Sequence, residues 1–248
     1  MKTYGLIGYP LGHSFSRGYF TDYFEQNNVE AEYKNFEIPC IEALNEVLNS
    51  EATLQGFNVT IPYKQEVFPF LSDIDEAARS IGAVNVVKVT HREGGLHLKG
   101  YNTDHIGFAD SIRPFLKPHH KHALILGTGG ASKAVDYALH RLGLETRFVS
   151  RTAREGIIAY EDLTPSLMAQ HTVIVNTTPL GMYPKIDDCP PIDYTLLTEQ
   201  HLLYDVVYNP SKTLFLNRGE SAGATICNGM DMLIGQAKAA WRIWNDEP

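Results

Sequence analysis

Apolar residues recur along the chain in two patterns, and their alternation predicts an α/β protein. Short apolar runs such as YGLIG, AEYKNFEI and GFNVTI in the first hundred residues are typical of strands. Between them, residues after Ser16, residues 43–48 and a segment that begins at Pro62 have helical spacing. Residues 84–90 and 96–99, separated by a glycine-containing turn, predict a hairpin at the edge of this first sheet.

A second series of alternating elements follows a connector rich in proline and histidine. A predicted helix over residues 104–115 runs into KPHHKH, which we interpret as a solvated connector between two lobes and not as a metal site. Beyond it, four apolar runs predict the buried parallel strands of a doubly wound sheet: ALILG, TRFVS, TVIVN and LLYDVV. Residues 230–244 have a helical pattern and are expected to return to the first lobe. The predicted domains are 1–103 with 229–248, and 104–228.

The segment ALILGTGGASKA, residues 123–134, joins a predicted strand to a predicted helix through a glycine-rich turn. Gly127 permits a tight bend, and Gly129 and Gly130 have no side chains that would block a phosphate. The start of the next helix offers unpaired N–H groups, which bind anions. This context predicts a dinucleotide site, with Ser132 at the last position of the G-x-G-x-x-G/A pattern, where glycine or alanine is usual.

The residues after the next predicted strand favour NADP over NAD. An NAD site usually has an acidic residue near the end of this strand, where it binds the adenosine ribose. This chain has SRTAR at residues 150–154, and the guanidinium groups of Arg151 and Arg154 can bind a 2′-phosphate through charge-assisted hydrogen bonds. The alternative interpretation is a solvated basic loop, which is common on protein surfaces.

Composition limits the expected partners and location. The chain has 248 residues, of which 44% are hydrophobic, and its formal net charge of −8 argues against a broad nucleic-acid surface. Its three cysteines have no paired or metal-like spacing, so free thiols in a reducing compartment are expected. No secretory signal or membrane-length apolar run is recognisable, and the expected location is the cytoplasm. We expect a small-molecule substrate, no nucleic-acid or membrane partner, and a monomer or homodimer.

Polar residues where predicted strands pass into helices are candidates for binding and catalysis. Ser14 and Ser16 precede a helix and offer two hydroxyls to a carboxylate, whereas capping alone would need one of them. Lys64, at the end of NVTIPYK, is either a surface charge or a proton-transfer group. Asp104 either caps the next helix or forms an acid/base pair with Lys64. Asn85 lies within an apolar strand and needs a partner, a substrate hydroxyl or, more commonly, a backbone group.

Nine motifs, in order and at comparable spacing, resemble those of the shikimate dehydrogenases over nearly the whole chain: GYPLGHSFS, GFNVTIPYK, IGAVN, YNTD, GTGGASKA, SRTAR, NTTPLGM, YDVVYNP and NGMDMLIGQA. The resemblance implies an N-terminal α/β substrate domain and a Rossmann-like, doubly wound NADP-binding domain, with a cleft between them. It also implies the NADP-dependent, reversible reduction of 3-dehydroshikimate to shikimate, a step of aromatic amino acid (chorismate) biosynthesis.

The resemblance further implies roles for individual residues. Lys64 and Asp104 match the catalytic pair of the family. The residues that match substrate-binding positions are Ser14 and Ser16 at the carboxylate, Thr60, Asn85 and Gln236 at ring hydroxyls, and Tyr208, which closes on the substrate. The residues that match cofactor-binding positions are Gly127, Gly129, Gly130, Ser132, Arg151, Thr152, Arg154, Thr177 and Met230. No metal is implied.

Two departures from the family pattern and two alternative functions stay open. The family often has asparagine before the first proline and proline after the second serine, where this chain has Tyr9 and Arg17, and we expect Arg17 to point into water. One alternative is a quinate or quinate/shikimate dehydrogenase with broader substrate or NAD use. The other is a catalytically silent metabolite-binding protein, against which Lys64, Asp104 and the complete cofactor turn argue.

Overall fold

The computed structural model describes residues 1–12 and 15–247, and this part of the chain forms two compact units. The first unit comprises residues 1–103 and 237–247, and the second comprises Asp104–Gln236. Within the described residues, each unit contains one six-stranded sheet. The division falls inside the last helix and not at residue 229, because Met232, in the first turn of that helix, lies against Gly107 of the second unit.

The sheet of the first unit mixes parallel and antiparallel strands. Its strands are β1 (Lys2–Gly8), β2 (Ala31–Glu37), β3 (Leu54–Val59), β4 (Asp73–Ile74), β5 (Val86–Arg92) and β6 (Gly95–Tyr101), in the order β2-β1-β3-β5-β6-β4. The helices are α1 (Phe15–Gln26), α2 (Leu44–Ser50) and α3 (Glu76–Ile81). β1 is parallel to β2 and β3, whereas β5 is antiparallel to β3 and β6. The strands and the first two helices that the apolar pattern predicts are confirmed.

Two details predicted for this unit are wrong. The hairpin of β5 and β6 is present, but the two-residue strand β4 pairs with β6 and takes the edge position. No helix starts at Pro62, because residues 61–67 form successive turns and a short 3-10 helix follows at Phe68–Phe70. The carbonyl of Lys64 explains this outcome, since it accepts a hydrogen bond from Val84 N–H at 2.8 Å and is therefore engaged outside its own segment.

The sheet of the second unit is parallel throughout. Its strands are β7 (His122–Leu126), β8 (Glu145–Ser150), β9 (Ile157–Ala159), β10 (Val173–Asn176), β11 (Leu202–Asp205) and β12 (Thr225–Cys227), in the order β12-β11-β10-β7-β8-β9. Its helices are α4 (Asp104–Ile112), α5 (Gly130–Arg141), α6 (Pro165–Gln170), α7 (Leu214–Ser221) and α8 (Met230–Asn245), the last of which continues into the first unit. The predicted helix over 104–115 ends at Ile112, and a 3-10 turn follows it.

Both faces of this parallel sheet are covered by helices. Ile125 of β7 packs in a cluster with residues of α4 and α5, whereas its neighbours Leu124 and Leu126 pack in a second cluster with residues of α6 and α7. A strand that is buried on both sides reads as a continuous apolar run, which is why the sequence reveals β7, β10 and β11. The doubly wound α/β class is confirmed.

The KPHHKH connector is not wholly solvated, contrary to the interpretation of the sequence. His120 is only 5% exposed, its Nδ1 accepts from Lys117 N–H at 3.0 Å, and its Nε2 lies 3.2 Å from Gln200 O. Burial lowers the pKa of His120.

Among the described residues, no cluster of histidine, cysteine or carboxylate side chains has the arrangement of a metal site. In the same residues, none of the helices is both long enough and apolar enough to span a bilayer.

An aromatic cluster attaches the last helix to the sheet of the first unit. Trp244 of α8 packs against Tyr4 of β1 and Phe20 of α1, and its indole Nε1–H donates to Val87 O at 3.0 Å. Gly56 of β3 lies directly beneath this ring, since a Cβ there would be 2.3 Å from the indole Cδ1 and Nε1 atoms. The indole therefore occupies the space that the missing side chain leaves.

We predict that Gly56→Ala lowers the free energy of unfolding by about 1–3 kcal/mol, because the added methyl displaces a fully packed indole. Urea unfolding followed by tryptophan fluorescence measures the change. Gly18→Ala is the matched control, since a Cβ at this helical position meets no atom within 4 Å and replacing glycine in a helix stabilises it by up to about 1 kcal/mol. Equal destabilisation by both substitutions would contradict the prediction.

Candidate active site

In the first unit, Thr60 and Asn85 lie at the same edge of the sheet. Thr60 follows the carboxyl end of β3, and its N–H donates to Ile7 O of β1 at 2.9 Å. Asn85 precedes β5, which runs antiparallel to β3, and its carbonyl accepts from Val59 N–H at 2.9 Å. The chain that follows Gly8 leaves β1 at this edge as well. Thr60 and Asn85, two of the predicted substrate-binding residues, are thus attached to one edge by backbone hydrogen bonds.

A hydrogen-bonded network of buried side chains supports this edge. Tyr33 of β2 donates its hydroxyl to Asn58 Oδ1 at 2.7 Å, and Asn58 Nδ2 lies 3.4 Å from Asn85 O. Tyr33 also makes a side-chain hydrogen bond with Ser16. Burial raises the pKa of Tyr33 well above its usual value, and the hydrogen bond with Ser16 lowers it in part. The Ser16 hydroxyl is therefore held by a phenol that is itself fixed by a buried amide. Ser14 lies outside the described residues.

The Asn85 side chain fixes the residue that precedes Asp104. Its Nδ2 donates to Thr103 Oγ1 at 3.1 Å, and its Oδ1 accepts from Thr103 N–H at 2.7 Å. One of these partners is the backbone group that a buried amide most often finds. Asp104 is the first residue of α4, so its carboxylate lies at the positive end of the helix dipole.

Lys64 and Asp104 are both half-buried, Lys64 in the turns after β3 and Asp104 at the start of α4. They belong to different units, so their action as an acid/base pair stays a prediction.

Of the two departures from the family pattern, Arg17 is exposed on α1, and it lines a surface cavity with Glu25 and Glu32. Tyr9 is also exposed, and its N–H donates to Ile61 O at 3.1 Å.

Gln236 is positioned by close packing between α4 and α8. A Cβ at Gly107 of α4 would be 2.4 Å from Met232 O and 2.7 Å from Gln236 N, so only glycine permits this approach. The side chain of Gln236 is almost fully buried, and its Nε2 donates to Leu233 O at 2.9 Å. Gly107 lies one turn after Asp104, and the contact therefore places Gln236 near the turn of α4 that carries this carboxylate.

The glycine-rich turn has the geometry that the sequence predicts. Gly127 has φ +105°, and a Cβ there would lie 2.9 Å from Thr177 Oγ1 and from Thr178 Cγ2. Gly129 and Gly130 are exposed, and a Cβ at either would meet no atom within 4 Å. The backbone of this turn at the start of α5 is therefore open to an anion.

Ser132 stabilises the turn itself. Its side chain is 1% exposed, and its hydroxyl donates to Gly129 O at 2.6 Å. A small side chain with a hydroxyl thus fits where the usual pattern has glycine or alanine. Its proposed part in cofactor binding is to shape the turn.

The basic segment after β8 lines a surface depression of about 510 Å³, formed by Thr128, Ser150, Arg151, Thr152, Ala153 and Arg154. All six residues are neutral or basic, and both arginines are exposed. Arg154 Nη2 donates to Thr128 Oγ1 at 3.0 Å, which ties the basic segment to the glycine-rich turn. Two guanidinium groups and neighbouring hydroxyls are the donors that a 2′-phosphate requires, so these residues fit NADP.

Thr177 and Met230 lie beside the ends of two other strands of this sheet. Thr177 follows β10, and its N–H and hydroxyl both donate to Leu126 O, at 2.9 and 2.7 Å. Met230 begins α8, and its N–H donates to Asn228 Oδ1 at 3.1 Å. Tyr208 lies in the loop after β11 and is 37% exposed.

Tyr33, Asn58 and Asp205 are the supporting residues that the site prediction does not contain. Asp205 is fully buried at the end of β11 and accepts from Asn176 Nδ2 at 3.0 Å. Burial raises the pKa of Asp205 to about 6, and its hydrogen bonds from Thr213, Val207 and Asn176 act against that rise. A sequence signal exists for it, since TVIVN and LLYD each end an apolar run with a polar residue and the two are register partners.

The parallel, doubly wound sheet with its glycine-rich turn and basic depression defines a dinucleotide-binding α/β protein. Residues 6–87 match the family model described as the shikimate dehydrogenase substrate binding domain. The shikimate dehydrogenase (NADP(+)) of Clostridium beijerinckii is 36% identical over 259 residues, which cover 99% of this chain and 93% of that protein. The chain belongs to the shikimate dehydrogenase family.

Solved structures agree with this assignment. The shikimate 5-dehydrogenase of Thermus thermophilus in complex with NADP(H) and shikimate has a TM-score of 0.85 at 29% identity, over 99% of this chain and 94% of that one. The quinate dehydrogenase of Corynebacterium glutamicum in complex with NAD has a TM-score of 0.86 at 27% identity, over the same shares. The resemblance inferred from the nine motifs is confirmed.

We predict that Arg151→Ala weakens NADPH binding by roughly 10- to 100-fold, because a hydrogen bond between charged groups contributes about 1.5–3 kcal/mol. NADH lacks the 2′-phosphate, so its affinity should stay nearly unchanged. Fluorescence titration of each cofactor measures both values. Arg147→Ala is the control, since Arg147 is an exposed arginine on β8 outside the depression. Equal loss of both cofactors in the Arg151 variant would show that this residue does not bind the 2′-phosphate.

Proposed function

We propose that this protein is an NADP-dependent shikimate dehydrogenase that reversibly reduces 3-dehydroshikimate to shikimate. The observation that carries the proposal is the basic depression at Arg151 and Arg154, tied to an open glycine-rich turn, in a chain that matches NADP(+)-dependent relatives over almost its whole length. In this proposal the first unit binds the substrate, as the match of residues 6–87 to a substrate binding domain supports, and the second unit binds the cofactor.

The substrate carboxylate is assigned to the hydroxyls of Ser14 and Ser16. The described part of this pair, Ser16, is supported by its hydrogen bond with the buried Tyr33 hydroxyl, which limits the orientations that it can adopt. Thr60 and Asn85, at the same edge of the sheet, are assigned to ring hydroxyls. A fixed donor set loses little conformational entropy on binding, and it therefore favours one orientation of the ring.

Lys64 and Asp104 are assigned to the transfer of the proton that the reacting oxygen gains or loses. NADPH, when bound, supplies the hydride that converts the substrate carbonyl into a hydroxyl. Lys64 donates the proton that this oxygen gains, and Asp104 accepts a hydrogen bond from the substrate. In the reverse direction, the same pair removes the hydroxyl proton. Half-buried positions suit this role, since they retain access to solvent protons while lying beside a ligand.

The biological context follows from the proposed product. Formation of shikimate implies a role in aromatic amino acid (chorismate) biosynthesis. Three free cysteines suit a reducing compartment, and we therefore propose that the enzyme acts in the cytoplasm.

The test is the initial rate of reduced cofactor formation with shikimate or quinate and with NADP⁺ or NAD⁺. We expect a high rate only with shikimate and NADP⁺. A comparable rate with quinate or NAD⁺ would replace the proposal with a quinate/shikimate dehydrogenase. No turnover with any pair, combined with shikimate binding by calorimetry, would identify a metabolite-binding protein instead.

We predict that Lys64→Ala lowers kcat by about 10²- to 10⁴-fold with little change in the KM for shikimate, because a proton-transfer group acts mainly in the transition state. Lys64→Arg should remain as slow, since arginine keeps the charge but does not release its proton near neutral pH. Steady-state kinetics of both variants supply the numbers. Lys99→Ala, which removes a lysine that pairs with Asp73 on the same unit, is the control and should retain normal turnover.

If Lys64→Ala raises KM while kcat stays normal, Lys64 is a binding residue and the proposed proton transfer is wrong.

A further inference from the structure

The buried carboxylate of Asp205 connects three segments at the carboxyl edge of the second sheet. Its Oδ1 accepts from Asn176 Nδ2 and from Val207 N–H, both at 3.0 Å, and its Oδ2 accepts from Thr213 Oγ1 at 2.5 Å. These donors come from the end of β10, from the loop after β11 and from the residue that caps α7. A carboxylate without solvent access is costly unless such donors satisfy it.

The first arm of this network leads to the segment that carries Thr177. Asn176 Oδ1 accepts from Thr178 N–H at 3.0 Å and from its hydroxyl at 2.6 Å. Thr178 in turn lies against Gly127, since a Cβ at that glycine would be 2.9 Å from Thr178 Cγ2. Asp205 thus orients the Asn176 amide, Asn176 holds Thr178, and Thr178 contacts Gly127. Direct contacts therefore connect Asp205 to the glycine-rich turn.

The second arm leads to the loop that carries Tyr208. Val207 N–H donates to Asp205, while Val206 N–H donates to Asn176 O at 3.0 Å. The carbonyl of Val207 then accepts from Gly229 N–H at 3.2 Å, directly before Met230. A Cβ at Gly229 would be 2.1 Å from Val206 O, so these backbones pack as closely as glycine allows. One carboxylate therefore helps to fix the starting points of both segments.

We propose that Asp205 is a positioning residue for the reaction, which holds the ends of β10 and β11 in one arrangement so that Thr177 and Tyr208 are correctly placed for cofactor and substrate. This inference rests on the proposed function. Asp205 does not touch either ligand in this role; it acts through Asn176 and Val207. Its loss leaves three donors, from Asn176, Val207 and Thr213, without this acceptor and frees both segments to reorient.

Asp205→Ala and Asp205→Asn test the inference by steady-state kinetics. The alanine variant should raise the KM values for NADP⁺ and shikimate by roughly 10- to 100-fold, as misplacement of binding groups by about 1 Å does. The asparagine variant should restore both KM values to within about threefold, because its amide oxygen can still accept from Asn176 and Val207 and its amide nitrogen can donate to a rotated Thr213 hydroxyl. A residue that only stabilises the fold would lower the yield of active enzyme and leave both KM values unchanged.

Tyr204→Phe is the control on the same strand. Tyr204 is fully buried, and its hydroxyl lies 2.7 Å from Ser111 Oγ, away from the Asp205 network. This variant should lose thermal stability with normal KM values. If Asp205→Ala behaves like Tyr204→Phe, the inference is overturned, and inactivity of the unmodified protein would instead overturn the proposed function.

Thr213→Val provides a second test if the alanine variant does not fold. It removes one donor to Asp205 while keeping the shape of the side chain, and it should raise both KM values severalfold. Thr164→Val is its matched control, because Thr164 caps α6 as Thr213 caps α7 and has no part in the network. Identical kinetics for the two threonine variants would overturn the inference.

Discussion

Buried polar side chains at the ends of the strands hold the segments on which both candidate sites depend. Parallel strands bring their carboxyl ends to one edge, but the chain that leaves each strand loses its ladder partners there. In the first unit, Asn85 supplies replacement partners to Thr103. In the second, Asp205 does so for Val207 and Asn176. Without these contacts, buried donors at each edge, among them the N–H groups of Thr103 and Val207, would lose their acceptor.

Such networks stabilise a structure only if they are complete, because an unpaired buried donor or acceptor costs about 1–3 kcal/mol. Among the described residues, the buried side-chain atoms without a partner are Asn35 Oδ1, Tyr160 Oη and Thr172 Oγ1, and none belongs to either network. The buried side chains of both networks are therefore satisfied. This condition suits a site that must present its donors in one orientation before a ligand arrives.

Local pattern was sufficient to predict the elements that carry the sites but not the contacts that support them. β7 was predictable because a strand that is buried on both faces requires a run of apolar residues. The glycine-rich turn was predictable because a backbone with φ above zero favours glycine. The three-residue strands β9 and β12 leave no comparable mark. Tyr33 and Asp205 were missed for a different reason, since their partners, Asn58 and Asn176, are 25 and 29 residues away in the sequence and meet them only in the folded sheet.

The most direct test is a crystal structure of the protein with shikimate and NADPH, a pair in which both ligands are reduced and no hydride can pass. We expect the shikimate carboxylate within hydrogen-bond distance of Ser16 Oγ and the 2′-phosphate between the guanidinium groups of Arg151 and Arg154. A 2′-phosphate that lies away from both arginines, or shikimate bound away from the edge formed by Thr60 and Asn85, would contradict the assignment of the two edges as substrate and cofactor sites.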